Sequence, residues 1–288
     1  MLSTAASDLL SLAKPRLSSL VLITAAGGIC LAKGQLSSGR SLLMLLATAE
    51  MVAAANALNC YLERDSDRFM HRTKNRPLPS GRMEPSVALW FGIALAAISL
   101  PALAIGVNVL TALLGLTAFV SYVFWYTPMK PRSHWAMMIG ALPGALPPLM
   151  GWTSVTGRLD LPGLVLFSIM FLWQLPHFLA IALYRKEEYI AAGLKSLPIT
   201  HGDGASRFYI VVYLTALVPV TLLLYPLHVA GLLYLIVAAL LGAAFWGLGF
   251  RGFIRKEGAP WARKLFFYSL IHCSGLFAAL AVEGIAHG

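Results

Sequence analysis

Charge is scarce in this chain. Asp, Glu, Lys and Arg make up 12% of its 288 residues, against about 25% in a soluble domain, which excludes an ordinary water-facing surface. Cysteine is scarcer: Cys30, Cys60 and Cys273 stand singly in apolar segments. That spacing excludes a zinc knuckle, a CxxC redox pair and a disulfide framework, and it reads as three small buried hydrophobes. Long polar linkers are lacking too, so residues 1–288 read as one transmembrane domain. Nor is there a recognisable signal peptide. Lys14 and Arg16 close the segment before the first apolar run, and no small-residue cleavage site leads to a soluble domain.

Apolar sequence is abundant, at 58% of the residues with a mean hydropathy of +0.75. Runs such as "LVLITAAGGICLA" and "VALWFGIALAAISLPALAIGV" approach the ~20 residues that a helix needs to cross a bilayer. Nine spans are expected, at 17–33, 41–62, 85–106, 109–127, 135–154, 162–183, 208–228, 230–250 and 263–284. Backbone groups in hydrocarbon must bond within their own segment, and these runs are too long for barrel strands. The expected class is therefore all-α, a polytopic membrane helical bundle.

Basic residues set its orientation. With the N-terminus inside, 19 of the 22 Lys and Arg fall on inside segments, leaving Lys33, Arg40 and Arg158 outside. The expected protein is an integral inner-membrane protein with a cytoplasmic N-terminus and an outside C-terminus. The net charge of +10 is then mostly a topology signal. It calls for membrane lipid as a partner and not for nucleic acid.

The sparse charge is concentrated. "NCYLERDSDRFMHRTKNRPLPSGR" (59–82) holds Glu63, Asp65 and Asp67 with six basic residues. Asn59, Glu63 and Asp67 stand at four-residue steps, which put them on one stripe of a helix, with Asp65 off it. Two carboxylates and an amide are hard oxygen ligands, suited to Mg²⁺. Arg68, Arg72, Lys74 and Arg76 follow, and guanidinium groups suit phosphate. Pro77, Pro79 and Gly81 end the helix in a turn. The combination suggests a metal-bound, lipid-linked diphosphate. The competing reading is a positive-inside anchor with surface ion pairs, and acids that run back into an apolar helix weigh against it.

A second segment, "WQLPHFLAIALYRKEEYIAAGLKSLPITHGD" (173–203), ends another span in charge: Arg185, Lys186, Glu187 and Glu188. On the nine-span topology it faces the same side, so two carboxylate clusters could share one diphosphate. His177, just after Pro176 and near Gln174, could bind substrate, ligate an iron, move a proton or simply pack between helices. Lys130, in "YTPMKPRSHW" (126–135), reads as either an anchor or a phosphate contact. "GALPGALPPLMGW" (140–152) either shapes a cavity or lets helices approach closely. Glu50, mid-span, is expected to pair inside the bundle, while His272 and Glu283 have no evident partner. A transporter for an anionic metabolite would put its acids at the bilayer midplane and would not need Mg²⁺.

At these segments the sequence resembles the UbiA family of intramembrane prenyltransferases. The family's Asn and two acids at four-residue steps fall on Asn59, Glu63 and Asp67, with Glu at a position where many members carry Asp. "DRFMHRTKNRPLPSG" (67–81) and "WQLPHF" with "YRKEEYIAAGLKSLP" are similar to the branch that acts on haem. That branch carries His177 where other members have an acid. Glu187 and Glu188 stand where Asp is common, and an Asn expected near Ala136 is absent. The resemblance covers about 10–205 by motif and the last three spans by hydropathy.

It implies farnesyl transfer from farnesyl diphosphate to a vinyl group of haem b, with water added. Mg²⁺ would rest on Asn59, Glu63, Asp67, Glu187 and Glu188, and the diphosphate on Arg68, Arg72, Lys74, Arg76, Lys130, Arg185 and Lys186. Asn59, Glu63, Asp67 and His177 would be catalytic, and other haem-handling membrane proteins are conceivable partners. The alternative within the family is an aromatic acid or quinone precursor as acceptor.

Overall fold

The computed structural model describes residues 2–32, 37–71 and 73–287, which form helices and turns with no strand among them. In chain order the helices are α1 (Leu2–Ala13), α2 (Pro15–Leu31), α3 (Ser38–Glu63), α4 (Pro85–Gly106), α5 (Val109–Val120), α6 (Thr127–Met129), α7 (Ala136–Thr156), α8 (Leu161–Tyr184), α9 (Lys186–Ala191), α10 (Leu197–Thr200), α11 (Gly202–Leu222), α12 (Leu232–Ile254) and α13 (Ala259–His287). A 3₁₀ turn covers Ser66–Phe69, and a π-helical turn, Ser121–Tyr126, joins α5 to α6.

Among the described residues seven helices are long and apolar enough to cross a membrane: α3, α4, α5 with its extension to Met129, α8, α11, α12 and α13. Two of the nine expected spans are not among these seven, so apolar length alone does not confirm the count. The first, 17–33, is the 17-residue α2, which is long and apolar enough only together with α1, across a bend of 53°. The other, 135–154, is the 21-residue α7, whose Gly, Thr and Ser residues and three prolines lower its hydropathy. α7 does not need a lipid-facing surface, because it is enclosed by α2, α5 and α8. The first turn of α11 is more polar than expected, and the helix starts at Gly202.

Close approach explains the glycines of this interior. A Cβ on Gly151 would strike the Ala25 carbonyl oxygen, and one on Gly28 would strike that of Pro148. α2 and α7 therefore pack backbone to backbone, in the manner of small-residue contacts between membrane helices. The bundle closes because α13 packs on both α2 and α8. On the outside, large apolar side chains such as Ile105, Trp90 and Leu240 are 88%, 66% and 68% exposed, as a lipid-facing surface requires.

Three polar residues within spans have distinct fates. The Glu283 carboxylate accepts from the backbone N–H of Gly231 at 2.5 Å and of Tyr234 at 2.9 Å, which caps α12 from α13. His272 is fully buried with no hydrogen bond to either ring nitrogen among the described residues. Glu50 is half-exposed, without the expected partner among the described residues. Cys60 and Cys273 are buried as expected, whereas Cys30 is exposed because its side of α2 faces outward.

Candidate active site

α3 runs to Glu63 and then gives way to the 3₁₀ turn that carries Asp67. The expected helical stripe therefore breaks between Glu63 and Asp67, yet Asn59, Glu63 and Asp67 still line one cavity of about 830 Å³. The turn is held by Thr73, whose hydroxyl donates to the Asp67 carbonyl at 2.8 Å. Gly81, at φ +73°, reverses the chain after Pro79, where a side chain would be strained.

Each of the three oxygen-bearing side chains meets a cation or hydroxyl from elsewhere. Lys14 Nζ donates to Asn59 Oδ1 at 2.8 Å, and Asn59 Nδ2 donates to Thr127 Oγ1 at 3.1 Å. Lys130 Nζ lies 2.8 Å from Glu63 Oε1, and an Arg76 terminal nitrogen lies 2.7 Å from Asp67 Oδ2. Asn59 and Asp67 are 1% and 4% exposed, whereas Arg76 and Lys130 keep 25% and 24% of their side chains exposed, so the oxygens are more shielded from water and salt than the cations that meet them.

Lys14 reaches this position through a left-handed backbone (φ 50°, ψ 61°) at the break between α1 and α2. For a non-glycine residue this conformation costs about 1 kcal/mol or more. Burial depresses its pKa below the ordinary lysine value. Burial also opposes the charge on Lys130, but the adjoining Tyr126 and Glu63 outweigh it and raise that pKa well above 10.5. The Lys130 ammonium also stands 4.6 Å above the Tyr126 ring.

Not all of the expected phosphate contacts converge here. Arg76 and Lys130 line the cavity, but Arg68 and Lys74 are exposed and outside its lining. Arg72 lies outside the described residues. From the second segment Tyr189, Lys195 and Leu197 reach the cavity. Arg185 instead pairs with Glu188 at 3.0 Å, and Lys186 with Asp203 at 2.8 Å. Glu187 is exposed. Glu187 and Glu188 thus stand outside the lining, because α9 follows a break at Arg185 and turns them away. No group of three or more His, Cys, Asp or Glu able to hold a metal occurs among the described residues. The oxygen set that remains, two carboxylates and one amide, fits a hard cation that shares its coordination with a ligand.

A second, apolar cavity of about 260 Å³ extends from this polar mouth between α2, α3, α5, α7 and α8. Tyr122, Tyr126 and Phe178 line both cavities. The π-helical turn carries the two tyrosines. Its i→i+5 pattern re-aims side chains, which is why such turns recur at functional sites. Gly140, Pro143, Gly144 and Pro147 of α7 form one wall, so the Gly- and Pro-rich run both shapes a cavity and permits close contact. Gln174 and His177 of α8 face it. Gln174 Nε2 donates to the Met170 and Ala141 carbonyls at 2.9 and 3.3 Å.

Sequence reasoning missed Lys14, read as a topology charge, and the pair Tyr122 and Tyr126. A Lys directly before Pro15 at a helix break was the available signal for the first. A π-helical turn leaves none.

Residues 21–271 match the model of the UbiA prenyltransferase family. A curated relative from Myxococcus xanthus, named Protoheme IX farnesyltransferase, is 64% identical over 284 residues, covering 99% of this chain and 97% of the relative. Among solved structures, one described as digeranylgeranylglyceryl phosphate synthase aligns with a TM-score of 0.84 at 20% identity, covering 98% of this chain and 99% of that one. A UbiA homologue from Archaeoglobus fulgidus bound to DMAPP and Mg²⁺ aligns at 0.70 with 19% identity, covering 96% and 99%. The shared bundle, the matched model and the full-length relative converge: the chain belongs to the UbiA prenyltransferase family.

Proposed function

We propose that the protein transfers the farnesyl group of farnesyl diphosphate to a vinyl group of haem b, with addition of water, giving haem O and pyrophosphate. The observation that carries this reading is the joining of a polar mouth, rich in cations and hard oxygens, to an apolar cavity through Tyr122, Tyr126 and Phe178. The 64% identical relative named for this activity supports the choice of acceptor.

The polar mouth suits a diphosphate at the membrane surface, with Lys14, Arg76 and Lys130 able to exchange their present partners for phosphate oxygens. Asn59, Glu63 and Asp67 would then be free to hold Mg²⁺. When bound, Mg²⁺ neutralises charge that develops on the departing diphosphate. Glu187 and Glu188 as further ligands would require Arg185 to release Glu188. Arg68, Arg72, Lys74, Arg185 and Lys186 would add to the positive field around the mouth.

Breaking the farnesyl C–O bond sends its electron pair to pyrophosphate, where the fixed cations stabilise it. The allylic cation left behind is sheltered by the apolar cavity and by the faces of Tyr122 and Tyr126. The haem vinyl carbon forms the new C–C bond, water adds to the resulting cation, and the proton this water releases leaves with pyrophosphate. We assign to His177 the contact with haem. The protein would lie in the inner membrane with the polar mouth cytoplasmic.

The test incubates purified protein in nanodiscs with haem b, farnesyl diphosphate and Mg²⁺, and weighs the extracted haem by mass spectrometry. A product heavier by farnesyl plus water, lost with EDTA and in Asp67→Ala, is expected. Prenylation of an aromatic acid in place of haem would move the protein to another acceptor. Full activity in Asp67→Ala would overturn the metal assignment.

A further inference from the structure

His177 stands on α8 and lines the apolar cavity, and its ring is held on three sides. The Trp173 indole stacks on it at 4.9 Å between centroids with an interplanar angle of 25°, and the Phe266 ring lies 4.9 Å away on α13. On one edge, Nδ1 is 2.6 Å from the hydroxyl of Ser269, a fully buried residue of α13.

The direction of that hydrogen bond follows from Ser269's other contact. Its Oγ lies 2.6 Å from the Phe266 carbonyl oxygen, and a carbonyl can only accept. The hydroxyl has a single proton, so donating it to Phe266 leaves only lone pairs toward His177. Two oxygens at this distance in a dry interior would repel without a proton between them. The proton of the His177–Ser269 bond must therefore come from Nδ1. The backbone of the serine is fixed as well, because its carbonyl accepts from Trp173 Nε1 at 2.8 Å, tying α13 to the turn of α8 that carries His177.

We infer that Ser269 is a positioning residue that holds His177 as the Nδ1-protonated tautomer and leaves the Nε2 lone pair for the iron of the haem substrate. The inference deepens the proposed function and rests on its reading of His177 as the haem contact. Nε2 makes no hydrogen bond to any described residue, and an imidazole whose other nitrogen donates a hydrogen bond is oriented and made more basic toward a metal. Iron ligation here is a binding contact that anchors the porphyrin beside the cavity. No electron is transferred.

Two measurements test it. Nitrogen-15 NMR of histidine-labelled protein, with His177 assigned by its loss in His177→Asn, reads the tautomer without relying on a Ser269 variant. A protonated Nδ1 with an unprotonated Nε2 is expected, and the reverse tautomer would overturn the inference. Ferric haem b is then titrated into the protein, with the Soret band followed. Ser269→Ala should weaken haem binding about 10-fold or more and shift the band, while Ser269→Thr restores both. Unaltered binding in Ser269→Ala together with loss in His177→Ala would overturn the role of Ser269 alone. Wild-type binding in His177→Ala would overturn the haem contact itself, while the proposed reaction stands or falls separately by the prenyl-transfer assay.

Discussion

Both acids of the polar mouth are paired with cations, one from a distant part of the chain and one from the same segment. Glu63 meets Lys130, and Asp67 meets Arg76. Removing one partner of such a buried pair leaves an uncompensated charge, at about 3 kcal/mol or more. Arg76→Ala should therefore both destabilise the protein and lower kcat, by about 100-fold if Arg76 contacts the leaving group. Lys74→Ala, only two positions away but exposed and outside the cavity lining, should change kcat by less than about twofold, as surface substitutions do. Steady-state kinetics on the two variants separates them. Equal losses would show that proximity in sequence, and not the cavity, selects the phosphate contacts. Glu63→Asp keeps the carboxylate at a shorter reach and should retain more activity than Glu63→Gln.

At the scale of elements, two devices set the geometry. The contact of α2 with α7 depends on Gly28 and Gly151, which bring backbone against backbone. Gly151→Leu should separate the helices and widen the apolar cavity. Such overpacking costs about 1–3 kcal/mol, visible as a lowered Tm in detergent together with loss of prenyl transfer. The second device is the cap that Glu283 places on the first N–H groups of α12. A carboxylate at a helix N-terminus satisfies orphan donors and complements the helix dipole. Glu283→Ala should cost about 1–2 kcal/mol, read as earlier unfolding. The cap is remote from either cavity's lining, so the KM for farnesyl diphosphate should not change.

At the scale of the whole molecule, the basic residues predict one cytoplasmic face. In a background with Cys30, Cys60 and Cys273 replaced by Ala, a membrane-impermeant thiol reagent should label Lys74→Cys and Lys195→Cys from one side. Arg158→Cys should react only from the other. Labelling of all three from one side would invalidate the assigned orientation. An enclosed helix such as α7 shows why counting hydropathy peaks overstates regularity. It carries three internal prolines with Gly, Thr and Ser because protein surrounds it, whereas the lipid-facing α4 and α11 hold one internal proline each.

The amino-acid order alone carries the membrane class, the helical architecture and the segments that hold the site, because these depend on local quantities: the length of apolar runs, the four-residue spacing of Asn59, Glu63 and Asp67, and the bias of Lys and Arg. Which charges meet is a matter of three-dimensional packing. Lys14 and Asn59 are joined only because α1 and α2 break at Lys14, and Glu63 meets Lys130 only after α5 has passed through a π-helical turn. Glu187 and Glu188, similar in sequence to the first cluster, stand outside the lining because α9 starts a new direction at Arg185. His177 gains its hydrogen-bond partner from α13, where Ser269 had no motif to mark it. Contacts between residues so far apart depend on where whole helices cross, and no local spacing encodes that.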